Sequence, residues 1–239
     1  MAIAAEELSY CGHDPGAAKF GNFINYYSFH KANQRIQNLH TSMFPILTVS
    51  EDIVCLDIGC NTGELTKEVY DYLKHLYPKS KINFVGIDID PVLIQRAQEH
   101  INNSNITFIT LNITDIQDQD IVQKYLNSHN KTKFDIVFCF SVTMWIHLNS
   151  GDEKFLGFLK YITKYAKTII IEPQPWKCYR NAQRRLKKSG SYFPLYESLK
   201  IRSSVETVIE NTITSNGFTK VYESLPSKWN RKILSFHIR

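Results

Sequence analysis

The chain predicts an α/β fold, in which a largely parallel β-sheet is flanked by helices and ends in an antiparallel hairpin. Three observations carry this. Short β-branched apolar runs alternate with helical patterns, the signature of βαβ units. Acids and glycines gather where the first two runs end. The last two runs, "GFTKVYESL" and "RKILSFHIR", are separated only by "PSKWN", the spacing of a hairpin added to a parallel sheet.

The strands fall at 53–58 ("IVCLDI"), 82–89 ("INFVGIDI"), 106–111 ("ITFITL"), 134–140 ("FDIVFCF") and 167–172 ("KTIIIE"). Helical patterns occupy roughly 64–76, 92–101, 116–127 and 152–165. Pro91 stands where the second of these begins, with Asp90 as its N-cap. No repeat, low-complexity tract or linker divides the chain, so residues 1–239 read as one domain, with 1–49 as an extension ahead of the first strand. Within it, "FGNFINYYSFH" holds five aromatics in eleven positions. Solvated tails lack such residues, so the segment packs on the domain as a plug or covers a ligand as a lid.

Composition narrows the function classes. At 239 residues and 43% hydrophobic content the chain can bury a full core. A net charge of +5 permits an acidic ligand without requiring one. Cys11, Cys55, Cys60, Cys139 and Cys178 include no C-x-x-C pair and no His at ligand spacing, so neither a disulfide framework nor a metal site is indicated, and a reducing compartment fits. "MAIAAEELSY" carries two acids and no long apolar core, unlike a signal peptide, so N-x-S/T matches such as "NIT" mean little. The longest apolar stretch, "FDIVFCFSVTMWIHL", has 15 residues and is too short to span a bilayer. A soluble, cytoplasmic protein is expected.

In "CLDIGCNTGEL" a strand ends in Asp57, and Gly59 and Gly63 then let backbone N–H groups approach a ligand closely. Asn61 replaces the middle glycine of the dinucleotide fingerprint, which argues against a nicotinamide enzyme. Asp88, 31 residues after Asp57, closes the next strand where a carboxylate can accept from both hydroxyls of a ribose. After the fourth strand, "FSVTMWIHLNSGDE" faces the same edge, and His147 beside Trp145 is either a structural group or a donor at the reaction centre. Beyond the fifth strand, "EPQPWKCYR" opens a segment in which Lys177, Arg180, Arg184 and Lys188 recur at helical spacing, flanked by Arg185 and Lys187. Such a stripe is a solvated face or, with Trp176 and Tyr179 interleaved, a surface for nucleic acid ends.

The acid before the glycines, the Asp after strand two and the closing hairpin resemble the S-adenosylmethionine-dependent methyltransferases of the seven-stranded Rossmann-like type, over residues 50–239. The ordered set "FGNFINYYSFH", "DIGCNTG", "DIDP", "SVTMWIHLN" and "EPQPWKCYR" is similar to the bicoid-interacting family of RNA 5′-phosphate methyltransferases, in particular its small branch acting on 5′-monophosphate ends. The resemblance implies S-adenosylmethionine as cofactor, held by Arg35, Asp57, Gly59, Asn61, Gly63, Asp88, Leu111, Asn112 and Phe140. Arg35 would pair with the methionine carboxylate, and the Asn112 amide oxygen would meet the adenine amine where many relatives carry an acid. Tyr26, His147 and Lys177 would be catalytic, while Tyr27, Trp176, Tyr179, Arg180 and Arg184 would bind substrate, with residues 1–49 covering the active site.

The implied partner is RNA with a 5′-monophosphate end, histidine tRNA or precursor microRNA, acted on by a monomer without metal. A terminal phosphate has a second pKa near 6, so on the order of nine tenths is dianionic at neutral pH and no strong general base is needed. The alternatives are γ-phosphate capping of a small nuclear RNA, a small-molecule or protein methyltransferase, and a binding module that has lost transfer; the last would show damage at Gly59, Asp88 or Arg35, and none is present.

Overall fold

A computed structural model describes residues 5–9, 17–46 and 52–239. Cys11 and half of "MAIAAEELSY" lie outside the described residues. The strands are β1 (Ile53–Ile58), β2 (Ile82–Asp88), β3 (Ile106–Thr110), β4 (Phe134–Phe140), β5 (Ala166–Glu172), β6 (Phe218–Glu223) and β7 (Leu234–Ile238). The helices are α1 (Ala5–Leu8), α2 (Tyr26–Phe29), α3 (Ala32–Ile36), α4 (Glu64–Leu76), α5 (Pro91–His100), α6 (Ile116–Ser128), α7 (Thr143–Tyr165), α8 (Trp176–Lys188) and α9 (Val205–Ser215).

The strands form one sheet in the order β3-β2-β1-β4-β5-β7-β6. β1 to β5 pair in parallel, while β7 runs antiparallel to both β5 and β6. The expected α/β sheet with a terminal hairpin is therefore present. Every residue of β1, β2 and β4 is buried, because helices cover both faces of a parallel sheet, and this is why those strands read as continuous apolar runs. The order reverses between β1 and β4, and this opens a crevice at the carboxyl ends of the strands.

Two helical expectations need correction. α7 starts at Thr143, not 152, and is interrupted at Gly151 (φ 80°, ψ 176°), a conformation a β-carbon resists. α9 is absent from the sequence reading because its Val, Ile and Thr content favours strands; packing decides, with Val205, Ile209 and Ile213 at i, i+4 spacing all fully buried. The conditional helix over the basic stripe is α8. Asp90 caps α5 as expected, its side chain accepting from the Val92 N–H at 2.8 Å.

The extension lies against the carboxyl edge. The Asn22 amide donates to Asp90 Oδ2 at 2.6 Å, the Asn149 amide to the Lys19 carbonyl at 2.9 Å, and the Tyr27 hydroxyl to the Cys60 carbonyl at 3.4 Å. Gly21, at φ +74°, sits so close to Trp145 that a β-carbon there would lie 2.3 Å from the indole. Among the described residues no group of His, Cys, Asp and Glu is arranged to hold a metal, and no helix is long and apolar enough to cross a membrane.

Candidate active site at the carboxyl edge of the sheet

The turn after β1 shows why its residue types are needed. Gly59 has φ +77°, and a β-carbon there would fall 2.7 Å from Val142 Cγ2, so only glycine lets the backbone pass. Its N–H and that of Cys60 both donate to the Ile87 carbonyl, at 2.8 and 3.0 Å, which ties the turn to β2. Asn61 takes the left-handed conformation (φ 53°), donates its backbone N–H to Asp88 Oδ2 at 2.8 Å and its amide to the Phe23 carbonyl at 3.1 Å. One residue thus joins Asp88 to the extension.

Three adjoining cavities follow the edge. One of about 350 Å³ is lined by Gly59, Asp88, Leu111 and Asn112. A narrow one of about 50 Å³ lies between Tyr26, Tyr27, Arg35, Asp57, Asn61 and Phe140. A third, of about 550 Å³, has Phe23, Tyr26, Phe29 and His30 on one side and Arg184, Arg185 and Arg231 on the other. Asp88 borders the first two, and Tyr26, Ser141 and Trp145 border the last two. Gly63 stays behind the turn, packed toward Phe108 and Ile101.

Burial pushes the carboxyls of Asp57 and Asp88 up to about 6, only partly opposed by the Thr66 hydroxyl on Asp57 and by backbone N–H groups on Asp88. A pKa raised above the unfolded value of 3.8 means these groups contribute stability below about pH 4, lost as pH rises through 6. Asp57→Asn is therefore expected to stabilise the cofactor-free protein at pH 7 by on the order of 2 kcal/mol, while removing most of the thermal shift given by S-adenosylhomocysteine. Thermal unfolding with and without that ligand checks both signs.

Glu172, at the end of β5, is fully buried and gathers donors from three directions. Arg35 donates to its Oε2 from Nε (3.1 Å) and Nη2 (2.9 Å), the Trp229 indole N–H donates to Oε1 (3.1 Å), and the Ser141 hydroxyl bonds Oε2. Arg35 also reaches the Tyr26 hydroxyl at 2.7 Å. Burial alone would raise the Glu172 carboxyl, but Arg35 and Arg231 outweigh it and hold the pKa below the usual value. Three buried nitrogens in this region have no hydrogen-bond partner among the described residues: Arg35 Nη1, Arg231 Nε and His30 Nδ1. Burial, with the cations of Arg231 and Arg35 nearby, lowers His30 to about 4, so its ring is neutral at pH 7.

Not every candidate residue converges here. His147 is fully buried, with Nδ1 3.1 Å from the Tyr179 hydroxyl, Nε2 2.7 Å from Asp152 Oδ1, and its ring stacked on Phe155. Both nitrogens are occupied, so it offers nothing to an acceptor; its role is to fasten α7 to α8. Tyr179 is buried beside it, and Trp176 stacks between Tyr179 and Tyr196. Lys177 and Arg180 are exposed on α8 and do not line the third cavity, whereas Cys178, Asn181 and Arg184 do. Lys177 shares a face with Arg184, seven residues on, but stands two turns nearer the helix start, so distance along the axis and not direction keeps it from the cavity. The Asn112 oxygen accepts from the Thr114 N–H (3.1 Å) and hydroxyl (2.8 Å), which fills both lone pairs and leaves none for an adenine amine. Trp229 and Arg231 lie in no motif, and Glu172, Ser141 and His30, though inside quoted motifs, carry no cue to one another; Glu172, Ser141, Trp229 and Arg231 meet because the sheet order places β4, β5 and the β6–β7 connection side by side.

The residues present fit S-adenosylmethionine. Gly59 leaves room for close backbone approach, Asp88 keeps acceptor capacity toward the first cavity, and Arg35 holds an unpartnered buried donor suited to a carboxylate. A family profile described as Bicoid-interacting protein 3 matches residues 134–238, and one described as Methyltransferase domain matches 55–164. A pre-miRNA 5′-monophosphate methyltransferase of Xenopus laevis is 38% identical over 95% of this chain and 94% of its own length. The RNA 5′-monophosphate methyltransferase of Homo sapiens is 35% identical over 94% of this chain and 82% of its own. Among solved structures, the N-methyltransferase NodS from Bradyrhizobium japonicum superposes with a TM-score of 0.52 at 15% identity, covering 90% of this chain and 97% of that one. Human N-acetylserotonin methyltransferase in complex with S-adenosylmethionine gives 0.51 at 15%, covering 90% and 53%. The chain belongs to the bicoid-interacting protein 3 family and is an S-adenosylmethionine-dependent methyltransferase.

Proposed function

We propose that the protein transfers a methyl group to the 5′-monophosphate of RNA, with the third cavity as the acceptor site. The carrying observation is that this cavity adjoins the cofactor pocket and is lined by Arg184, Arg185 and Arg231, the last with a buried Nε unpartnered among the described residues. The activity for which both relatives are named supports the reading. So does the distribution of charge: α8 holds six cations and no acid, so the remaining 22 basic and 23 acidic side chains nearly cancel. Among the described residues, Lys177, Arg180, Arg184, Lys187 and Lys188 have no ion-pair partner, whereas Lys67, Lys131, Lys167 and Lys220 do. An exposed, uncompensated cationic ridge beside a phosphate-sized opening suits a polynucleotide.

S-adenosylmethionine, when bound, supplies an electrophilic methyl group on a sulfonium. The residues of this chain then have three tasks. Arg231 and Arg184 anchor phosphate oxygens through charge-assisted bonds. Tyr26, on the border of the cofactor and acceptor cavities, fixes the remaining geometry, its hydroxyl held by Arg35. Residues 17–30 act as a lid that excludes water from both. No residue need remove a proton, since the acceptor dianion is already a nucleophile, and the neutral His30 ring can donate without adding charge that would blunt it. Transfer RNA for histidine and precursor microRNA are the acceptors to compare first. The deciding experiment is labelled methyl transfer to one RNA bearing 5′-hydroxyl, 5′-monophosphate or 5′-triphosphate ends. Label on the monophosphate alone is expected; equal labelling of the 5′-hydroxyl RNA overturns the reading, and preference for the triphosphate redirects it to γ-phosphate capping.

A further inference from the structure

Ser141 directly follows β4 in a left-handed conformation (φ 56°), which a residue with a β-carbon adopts at a cost. The backbone is held there from both sides: its N–H donates to the Glu172 carbonyl at 3.2 Å, and its carbonyl accepts from the buried Gln174 amide at 2.6 Å. The result places one hydroxyl between two guanidinium groups. Its oxygen accepts from Arg35 Nη2 at 2.9 Å and from Arg231 Nη1 at 2.7 Å, while its hydrogen goes to Glu172. A serine hydroxyl has one donor and two lone pairs, so all of its capacity is occupied and none remains for a ligand.

The two arginines come from distant parts of the chain and serve different cavities. Arg35 on α3 borders the narrow pocket, and Arg231 between β6 and β7 borders the acceptor cavity. Each keeps an unpartnered buried nitrogen, Nη1 on Arg35 and Nε on Arg231. Two cations share one carboxylate, so the cluster carries a net positive charge that Glu172 alone does not neutralise. Without the hydroxyl oxygen between them, the guanidiniums would lose the one acceptor that fixes them relative to each other.

We propose that Ser141 is a positioning residue which, through this single hydroxyl, aims Arg35 at the cofactor carboxylate and Arg231 at the acceptor phosphate. It follows that one substitution weakens two chemically different anion contacts on opposite sides of the reacting centre, although the Ser141 hydroxyl has no capacity left to bond either ligand. The inference rests on the acceptor reading given above.

The test uses Ser141→Ala and Ser141→Gly in the full chain. Glycine accepts the left-handed backbone without strain, so it keeps the fold if alanine does not. Binding is measured for S-adenosylhomocysteine, for 5′-methylthioadenosine, which lacks the carboxylate, and for RNA with 5′-phosphate or 5′-hydroxyl ends. Both variants are expected to lose about tenfold in S-adenosylhomocysteine affinity and about tenfold in the preference for 5′-phosphate over 5′-hydroxyl RNA, the scale of one hydrogen bond to a charged group. Affinities for 5′-methylthioadenosine and 5′-hydroxyl RNA should stay unchanged. Parallel losses on all four ligands would show a merely structural role, and a change on only one side, or none, would overturn the shared positioning. If the unsubstituted protein shows no 5′-phosphate preference, it is the acceptor reading that fails, and the S-adenosylhomocysteine arm still judges Ser141 on Arg35.

Discussion

Glu172→Gln is expected to lower the unfolding free energy by about 3–5 kcal/mol, the cost of leaving a buried cation without its partner. In a chain of this size that is roughly a 10 °C fall in melting temperature. Glutamine keeps the shape and can still accept from Trp229 or Ser141, but it cannot balance charge. Arg35 cannot relieve the strain by losing its proton, because a guanidinium stays protonated in a protein. Two guanidiniums would then share a buried site with no carboxylate. The pH dependence supplies an internal check. Because the Glu172 pKa is lowered, its contribution is present above the unfolded value of 4.5 and is lost as pH falls through the folded one. The melting-temperature gap between the two proteins should therefore close in acid, while the opposite trends of Asp57 and Asp88 cancel in the difference. A gap that is small at pH 7, or constant with pH, would show that Glu172 is not the counter-ion of the cluster.

Arg231→Gln should separate anchoring from folding. It removes one cation from the cluster and leaves Arg35 and Glu172 as a balanced pair, so stability should change little. Methyl transfer to 5′-phosphorylated RNA should fall about 100-fold in kcat/KM, the effect expected when two hydrogen bonds to a charged group, each worth about 1.5 kcal/mol, are lost. Binding of S-adenosylhomocysteine should remain within about twofold, since Arg231 borders the acceptor cavity and not the narrow pocket. Lys177→Ala serves as the control on the same reaction: its side chain is exposed outside the cavity, so it should weaken phosphorylated and unphosphorylated RNA alike. An Arg231 variant with undiminished turnover would move the acceptor phosphate elsewhere.

The strands were legible because a parallel sheet covered on both faces must be apolar throughout, and runs such as "IVCLDI" and "FDIVFCF" admit few other readings. The cofactor turn was legible for a steric reason, since the approach of Val142 to Gly59 excludes any β-carbon. Helix α9 was not, because its β-branched residues point to a strand until tertiary packing overrides them. Nor was the start of α7, where the apolar character of β4 runs on without interruption into "TMWIHL". The basic helix was legible only in part. Periodicity announces a basic helix but not how far along it the cavity extends: Arg184 lines the cavity, whereas Lys177 and Arg180 do not. His147 misled because its sequence neighbourhood suggests reactivity, whereas its partners Tyr179 and Asp152 lie 32 and 5 residues away. Arg231 lies in no motif, and Ser141 opens "SVTMWIHLN" without any cue to its partners, since their meaning arises only where strands distant in sequence become neighbours.

The concentration of surplus charge on α8 also bears on how quickly a target is found. A body whose formal charges nearly cancel outside one 13-residue helix presents an incoming polyanion with an oriented field. Encounters would begin with that helix turned toward the nucleic acid, so that diffusion delivers the phosphorylated terminus near its opening and few collisions are wasted on the opposite face. Such guidance lasts only to about 10 Å at 0.1 M salt, which makes capture speed, more than residence time, the property most sensitive to the ionic surroundings.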